Sequence, residues 1–414
     1  MEVHKLGGAS INSIERIKKL IPLFKKHIPN ESVIIISAIG KTTNHLEELV
    51  NAYYVGNIKK VEKKLKSIKK FHYYLLDNIF EKKHPIYNEI NNIFIEIKCV
   101  LGSKSLRSYD FEYDQIVSFG ELLSSKIIHA FLNQNKIHID WLDARKVLKT
   151  NNCYRNAVVN FSKTTTSIKN KLKNKLVITQ GFIGSNSNGF NTTLGREGSD
   201  YTAAIFSNAL DSKKATIWKD VEGIFTKDPV MFNDAEHISH ISYYDAIELA
   251  FYGAKVIHPK TIQPLKEKEI PLHVKSFIKP QKKGTTISNI KKKLKKECII
   301  IKENQVMLSI SSLNFSFIEE INISKIFSIF SKHGIKVNLM QNSSIIFSVC
   351  MDHSPNKMDD LLKDFKPNFY VKYNNKLQLI TFKNSKLKSI IHMLKEREVL
   401  LEQKNRKTSQ YIVR

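Results

Sequence analysis

The sequence predicts an α/β fold built on a mainly parallel sheet, followed by a smaller ferredoxin-like region. Three observations carry this prediction. From residue 1 to about residue 288, short apolar runs alternate with stretches of helical periodicity, the pattern of strands joined by crossover helices. A lysine-rich segment at 291–296 then breaks the pattern. Beyond it the order becomes strand, helix, strand, strand, helix, which is a ferredoxin-like path.

Taken in order, residues 3–5, 33–36, 137–141, 176–179, 215–218 and 271–275 read as strands. Between the first two, Ile14, Ile17, Ile21, Phe24 and Ile28 recur at helical spacing, with Pro22 inside the stripe and expected to kink it. Residues 46–107 are rich in lysine and carry no strand signal, so they read as a helical insertion capping one edge. After the turn at Gly284, residues 289–297 serve as a linker between a first domain, 1–288, and a second region, 298–414. There, strands at 306–311, 336–340 and 345–351 and helices at 319–332 and 357–363 form one set of elements, and 376–414 a shorter second set.

Composition narrows the functional classes. The chain has 414 residues, 42% of them hydrophobic and 10% aromatic, enough for two or three real cores and incompatible with a disordered tail. No apolar run approaches the roughly 20 residues of a membrane helix, and the first residues lack the layout of a signal peptide, so a cytoplasmic protein with no membrane partner is expected. The four cysteines form no CxxC pair, which argues against a zinc cage or a disulfide framework. Lys and Arg exceed Asp and Glu by 66 to 39, a net charge of +27. Much of the excess is lysine in helical-looking runs such as 59–70, without the interleaved aromatics of a nucleic-acid module, so no nucleic-acid partner is expected. A surface this basic still attracts anionic substrates.

Several segments can carry chemistry. Lys5-Leu6-Gly7-Gly8-Ala9-Ser10 lies where the first strand runs into a helix, so Gly7 and Gly8 let backbone N–H groups approach an anion. An ordinary strand-to-helix turn is the competing reading. Ser37 to Asn44 contains Gly-Lys-Thr, but Ile35 stands where a P-loop needs its first glycine. Ser37 and Thr43 remain candidates for holding substrate at the carboxyl end of a strand, with helix capping as the alternative. In the glycine-rich stretch 180–204, Arg196, Ser199 and Asp200 converge at the start of a helix, and an arginine there is suited to a carboxylate. Residues 218–229 and 251–259 follow, the second carrying Lys255, which could reach a phosphate, and His258, which reads as a capping residue.

In this order the segments resemble the monofunctional aspartate kinases of the amino-acid kinase superfamily. Motifs of the types KFGGTS, SAxxxxTN, GE, QGFIGxxxxGxxTTLGRGGSDYTAA, WTDVxGIYTxDP and FGAKVxHP are matched by residues 5–10, 37–44, 120–121, 180–204, 218–229 and 252–259. The resemblance covers nearly the whole chain, and the long glycine-rich motif is highly specific. It implies a three-layer, carbamate-kinase-like sandwich with a C-terminal region of tandem ACT modules, the second shortened, that dimerises two copies. It also implies transfer of the γ-phosphoryl of ATP to the side-chain carboxylate of L-aspartate, with Mg²⁺ held by phosphates and water rather than by protein ligands.

The same resemblance implies roles for individual residues. Lys5 and Lys255 would lie over the transferring phosphoryl group, and Asp200 would orient them. Arg196 would clamp the substrate α-carboxylate, Glu121 would meet its ammonium group, and Ser37, Thr43, Phe182, Thr193 and Ser199 would shape the pocket. Gly7, Gly8, Lys219, Asp220 and Phe225, with Lys5 and Lys255, would hold the nucleotide. This chain departs from the pattern at Glu197, where the family has glycine, at Phe225 for tyrosine, at Lys219 for a frequent threonine, and at Val230 for arginine. An inward-pointing Glu197 carboxylate would weaken aspartate binding. Residues 336–344 stand where lysine-sensing relatives often carry VDxIxTSE, so no effector is carried over. The alternatives are a sibling kinase acting on glutamate or N-acetylglutamate, and an ACT-bearing amino-acid sensor whose kinase site has decayed.

Overall fold

The structure, a computed structural model, describes residues 1–102, 107–172, 175–254, 257–291, 293–314 and 316–414, the side chain of Asn356 excepted. The chain divides into two compact units. The first comprises Met1–Ile224, Ile238–Ile247 and Val256–Lys293, and the second Phe225–His237, Glu248–Lys255 and Leu294–Arg414.

The elements begin with β1 (Glu2–Leu6), α1 (Ile14–Lys18), α2 (Leu20–His27), β2 (Ser32–Ile36), α3 (Thr42–Tyr54), α4 (Ile58–Ile79) and α5 (Ile86–Leu101). Next come α6 (Tyr109–Val117), α7 (Phe119–Gln134), β3 (Asp140–Leu142), α8 (Ala144–Val147), α9 (Phe161–Lys171) and β4 (Val177–Gln180). A hairpin of β5 (Ile183–Ser185) and β6 (Asn191–Thr193) precedes α10 (Gly198–Ala209) and β7 (Ala215–Lys219). The series continues with β8 (Ile224–Phe225), β9 (His237–Ile238), β10 (His240–Ser242), α11 (Tyr243–Tyr252), α12 (Pro259–Glu267), β11 (Leu272–Ser276) and β12 (Thr285–Ser288).

The main sheet has eight strands in the order β10-β12-β11-β7-β1-β2-β4-β3, and every pair is parallel except β11 with β12. Its inner strands are buried on both faces, as the continuous Val-Ile-Ile-Ile run of β2 foretells. Alternation splits that run between two cores. Ile34 and Ile36 join the cluster covered by α3 to α7, while Val33 and Ile35 join the cluster covered by α9 and α10. The expected strands are all present, although β3 begins only at Asp140.

Two expectations need correction. Helices α4 and α5 do not cap an edge: Leu75, Leu76, Ile90 and Phe94 belong to the same core as Ile34 and Ile36, so the insertion supplies part of the layer over one sheet face. Pro22 does not kink a continuous helix either. The ladder is interrupted at Lys19, between α1 and α2, which places Pro22 in the first turn of the second helix, where its missing N–H costs no bond.

The second unit carries β13 (Cys298–Ser312), α13 (Glu320–Lys332), β14 (Val337–Asn342), β15 (Ile346–Asp352), α14 (Pro355–Phe365), β16 (Phe369–Lys383), α15 (Leu387–Leu394), β17 (Val399–Lys404) and β18 (Thr408–Val413). Its sheet is antiparallel throughout, in the order β14-β15-β13-β16-β18-β17. Strands β13 and β16 run side by side over their whole lengths, with a register shift between Lys302 and Met307. The shift divides two interleaved modules. Val306, Leu308 and Ile310 pack with Phe330 and Phe365 in one core, whereas Ile299 packs with Phe382, Ile390 and Tyr411 in another.

Candidate active site

A cavity of about 670 Å³ opens in the first unit at the carboxyl ends of β1, β2 and β7, where parallel sheets gather their ligands. Strand alternation explains what faces it. On β1, Leu6 joins the core under α3 to α7, so Lys5 points to the opposite face, toward α10. Lys5 pairs in register with Ile217, and Lys219, two residues further along β7, shares that face. Both ammonium groups converge on Asp200 in the first turn of α10, Lys5 Nζ at 2.6 Å from Oδ1 and Lys219 Nζ at 3.3 Å from Oδ2. Burial by itself would raise the Asp200 carboxyl, but the two lysines outweigh it and hold the group below its ordinary value.

Close backbone packing shapes the walls. A Cβ on Gly8 would lie 2.4 Å from the Ala38 carbonyl oxygen, so the loops after β1 and β2 meet only because that position is glycine. A Cβ on Gly198 would fall 2.6 Å from the Phe182 ring. Glu197, directly before α10, adopts the left-handed conformation with φ 52°. That backbone explains why glycine is usual at this point of the motif. The Glu197 side chain lines the cavity, and its Oε2 is buried without a hydrogen-bond partner among the described residues. Burial, partly offset by Lys219, raises its carboxyl above the ordinary value.

Glu121, on α7, is also on the wall and almost fully buried. Its Oε1 accepts from the Ala38 N–H at 3.4 Å, while its Oε2 has no hydrogen-bond partner among the described residues. Burial pushes this carboxyl up to about 8.

Of the residues singled out in the sequence, Lys5, Gly8, Ser37, Thr43, Glu121, Phe182, Arg196, Ser199, Asp200 and Lys219 line this one cavity. Gly7 is not on its wall, although a Cβ there would come 3.2 Å from Lys5 Nζ. Thr193 is fully buried, and its hydroxyl donates to Asp114 at 2.7 Å. Asp220 is not on the wall, and its carboxylate accepts from Arg16 at 2.8 Å. Phe225 belongs to the second unit, where its ring packs edge-on against His237. Lys255 lies outside the described residues.

The cavity also takes in residues that sequence reasoning passed over, Glu47, Tyr113 and Arg155 among them. Arg155 stands in a left-handed turn with φ 61°, its guanidinium 4.5 Å from the Tyr113 ring centre and 3.5 Å from Glu47. No local motif marks these side chains, since they reach the cavity from separate helices and a loop.

Among the described residues no three His, Cys, Asp or Glu side chains gather as a metal cage, and Asp200 already faces two cations. Protein side chains here do not fit a Mg²⁺-binding set.

Residues 1–276 match the amino acid kinase family. The chain is 31% identical to lysine-sensitive aspartokinase 3 of Escherichia coli (strain K12) over 362 residues, which is 84% of this chain and 78% of that protein. It is 32% identical to chloroplastic aspartokinase 1 of Arabidopsis thaliana over 85% of its own length, but spans only 63% of the plant protein. Among solved structures, E. coli aspartokinase III in complex with aspartate and ADP superposes with a TM-score of 0.83 at 26% identity, covering 100% of this chain and 96% of the other. The same enzyme in complex with lysine and aspartate gives 0.82 at 27% identity, with the same coverage.

Proposed function

This chain belongs to the amino acid kinase family, and from that premise we propose that its cavity carries out the aspartokinase reaction, transfer of the γ-phosphoryl group of ATP to the side-chain carboxylate of L-aspartate. The observation that carries this reading is the gathering of Lys5, Lys219 and Asp200 in one cavity with Arg196 and Glu121. The first three offer a balanced cationic cradle to phosphates, and the last two answer the α-carboxylate and ammonium groups of an amino acid.

A carboxylate acceptor is already ionised near neutrality, so the protein supplies alignment and charge compensation rather than a base. The acceptor oxygen bonds to the γ-phosphorus as the bond from that phosphorus to the β,γ-bridging oxygen breaks, and ADP leaves with that electron pair. Lys5 faces the equatorial oxygens of the moving group, and Asp200 fixes the positions of Lys5 and Lys219. Lys255, from its place in the family motif, supplies a further cation. Gly7 and Gly8 present N–H groups to phosphate, and Asp220 is assigned to the nucleotide site from its place in the family motif. Arg196 holds the α-carboxylate, with Ser37, Thr43, Phe182 and Ser199 shaping the pocket and Thr193 supporting it from beneath. Mg²⁺ would be carried by the phosphates of the nucleotide and would neutralise part of their charge.

Residues 1–288 would then be the catalytic domain, 289–297 the linker and 298–414 the ACT region. Leu313, Phe317, Ile321, Met340 and Ile346 are exposed in the second unit, which supports a homodimer formed through that region. Among the described residues no helix is long and apolar enough to cross a membrane.

Trapping the acyl phosphate with hydroxylamine, in the presence of MgATP and L-aspartate, L-glutamate or N-acetyl-L-glutamate, tests the reading. Product with aspartate alone is expected. A folded protein that yields none with any of the three acids refutes it in favour of a decayed sensor.

A further inference from the structure

We propose that Asp114 is a positioning residue of the acceptor pocket: it ties together, from beneath the wall, the two chain segments that present Arg155 and Arg196 to the cavity. The inference rests on the aspartokinase reading for its substrate and on the geometry of one buried carboxylate for its mechanism.

Asp114 lies on α6 and is fully buried, one residue after Tyr113, which does reach the cavity. Three donors converge on its carboxylate. The Thr193 N–H donates at 2.8 Å and the Thr193 hydroxyl at 2.7 Å, while the Arg155 N–H lies 3.1 Å from each carboxylate oxygen. The next residue extends the clamp, because Gln115 Oε1 accepts from the Asn191 N–H at 3.1 Å and Gln115 Nε2 donates to the Asn191 carbonyl at 2.9 Å. Two consecutive side chains of α6 thus hold both ends of β6.

What the clamp holds is the wall itself. Gly195, Arg196 and Glu197 follow Thr193 within four residues and line the cavity, as Arg155 does. The two clamped segments also touch each other: the Ala157 N–H donates to the Thr193 carbonyl at 2.9 Å, and a Cβ on Gly195 would lie 3.0 Å from the Arg155 carbonyl oxygen. Arg155 holds a left-handed backbone, φ 61°, that a non-glycine residue keeps only where its surroundings over-determine it. The carboxylate on its N–H is one such constraint. A neutral amide at position 114 would turn an N–H₂ group toward groups that are themselves donors, so the clamp depends on an acceptor-only side chain.

The test is steady-state kinetics of Asp114→Asn, Thr193→Val and Thr193→Ser in the full chain, with amide hydrogen exchange on the same proteins. For Asp114→Asn the KM for aspartate should rise about tenfold or more, the KM for ATP should stay within about twofold, and kcat at saturating aspartate should stay within about threefold. Exchange should quicken at Arg155 and over 191–196. Thr193→Val, which removes one donor, should move the aspartate KM in the same direction by less, and Thr193→Ser, which keeps the hydroxyl, should restore it. An aspartate KM within twofold of wild type in Asp114→Asn, or equal rises for both substrates, overturns the proposal. If Asp114→Asn does not fold, equal aspartate KM values for the valine and serine variants overturn it instead. A wild-type chain that phosphorylates no acid removes the kinase reading alone. The exchange pattern then decides the clamp, and unchanged protection at Arg155 and 191–196 in the variants refutes it.

Discussion

Two carboxyl groups on the cavity wall respond to burial in opposite ways because of what surrounds them. At Asp200 burial is overcome by Lys5 and Lys219, so its stabilising contribution is present above the ordinary aspartate range and is lost as pH falls through its lowered value. At Glu121 burial dominates, outweighing the backbone hydrogen bonds that oppose it, and lifts the group from 4.5 to about 8. Its contribution to stability is therefore greatest below 4.5 and declines as pH rises toward 8. Near neutrality the empty cavity holds Glu121 mostly protonated, and an ammonium group arriving beside it would favour the ionised form and expel the proton. Aspartate affinity should accordingly rise with pH up to about 8 and level off above it. Calorimetric titrations near pH 7 in phosphate and in Tris should differ in apparent enthalpy for the wild type and agree for Glu121→Gln. Equal enthalpies for the wild type would show that Glu121 does not meet the ammonium. Glu197 was legible as a departure from the motif, but its left-handed backbone and the buried, unpartnered Oε2 were not, because both depend on how Phe182 and α10 pack around it.

At the scale of elements, the site is a set of strand ends and the loops that leave them. The loops after β1 and β2 touch at Gly8, where an added methyl would meet backbone, whereas at Gly7 it would meet only the mobile tip of Lys5. Gly8→Ala should therefore cost about 1–3 kcal/mol of stability and lower turnover more than tenfold. Gly7→Ala should leave stability nearly unchanged. Urea titration with the hydroxylamine assay measures both, and an unperturbed Gly8→Ala protein would mean that the two loops can part freely. Most of these elements could be read in advance: the apolar run of β2 and the glycine-rich approach to α10 are local signals. The role of α4 and α5 could not, since an amphipathic stripe tells that a helix has a buried side but not which sheet face it covers.

Over the whole molecule the net charge of +27 sets a long-range field, and Lys5, Lys219, Arg155 and Arg196 bring part of it into the cavity. Nucleotide polyphosphate should be drawn in by that field, so the KM for ATP should climb severalfold between about 25 and 400 mM KCl while kcat changes little. A KM insensitive to salt would place the binding energy in short-range contacts alone. The second unit shows another whole-molecule effect. Strands β13 and β16 each serve two cores, on either side of a register shift, so neither module closes on a contiguous stretch of sequence.

The order of strands and helices, the placing of candidate groups at strand ends and the family resemblance followed from the sequence by itself, because hydrophobic period, glycine punctuation and motif spacing are written within a few residues of each other. The tertiary structure alone decided which of those groups meet. It brought Lys5 and Lys219 to Asp200 from the neighbouring strands β1 and β7, turned the Thr193 hydroxyl to Asp114, and set Arg155 on the wall. These outcomes depend on strand register and on the desolvation of partners far apart in the chain, and neither is encoded in any local window.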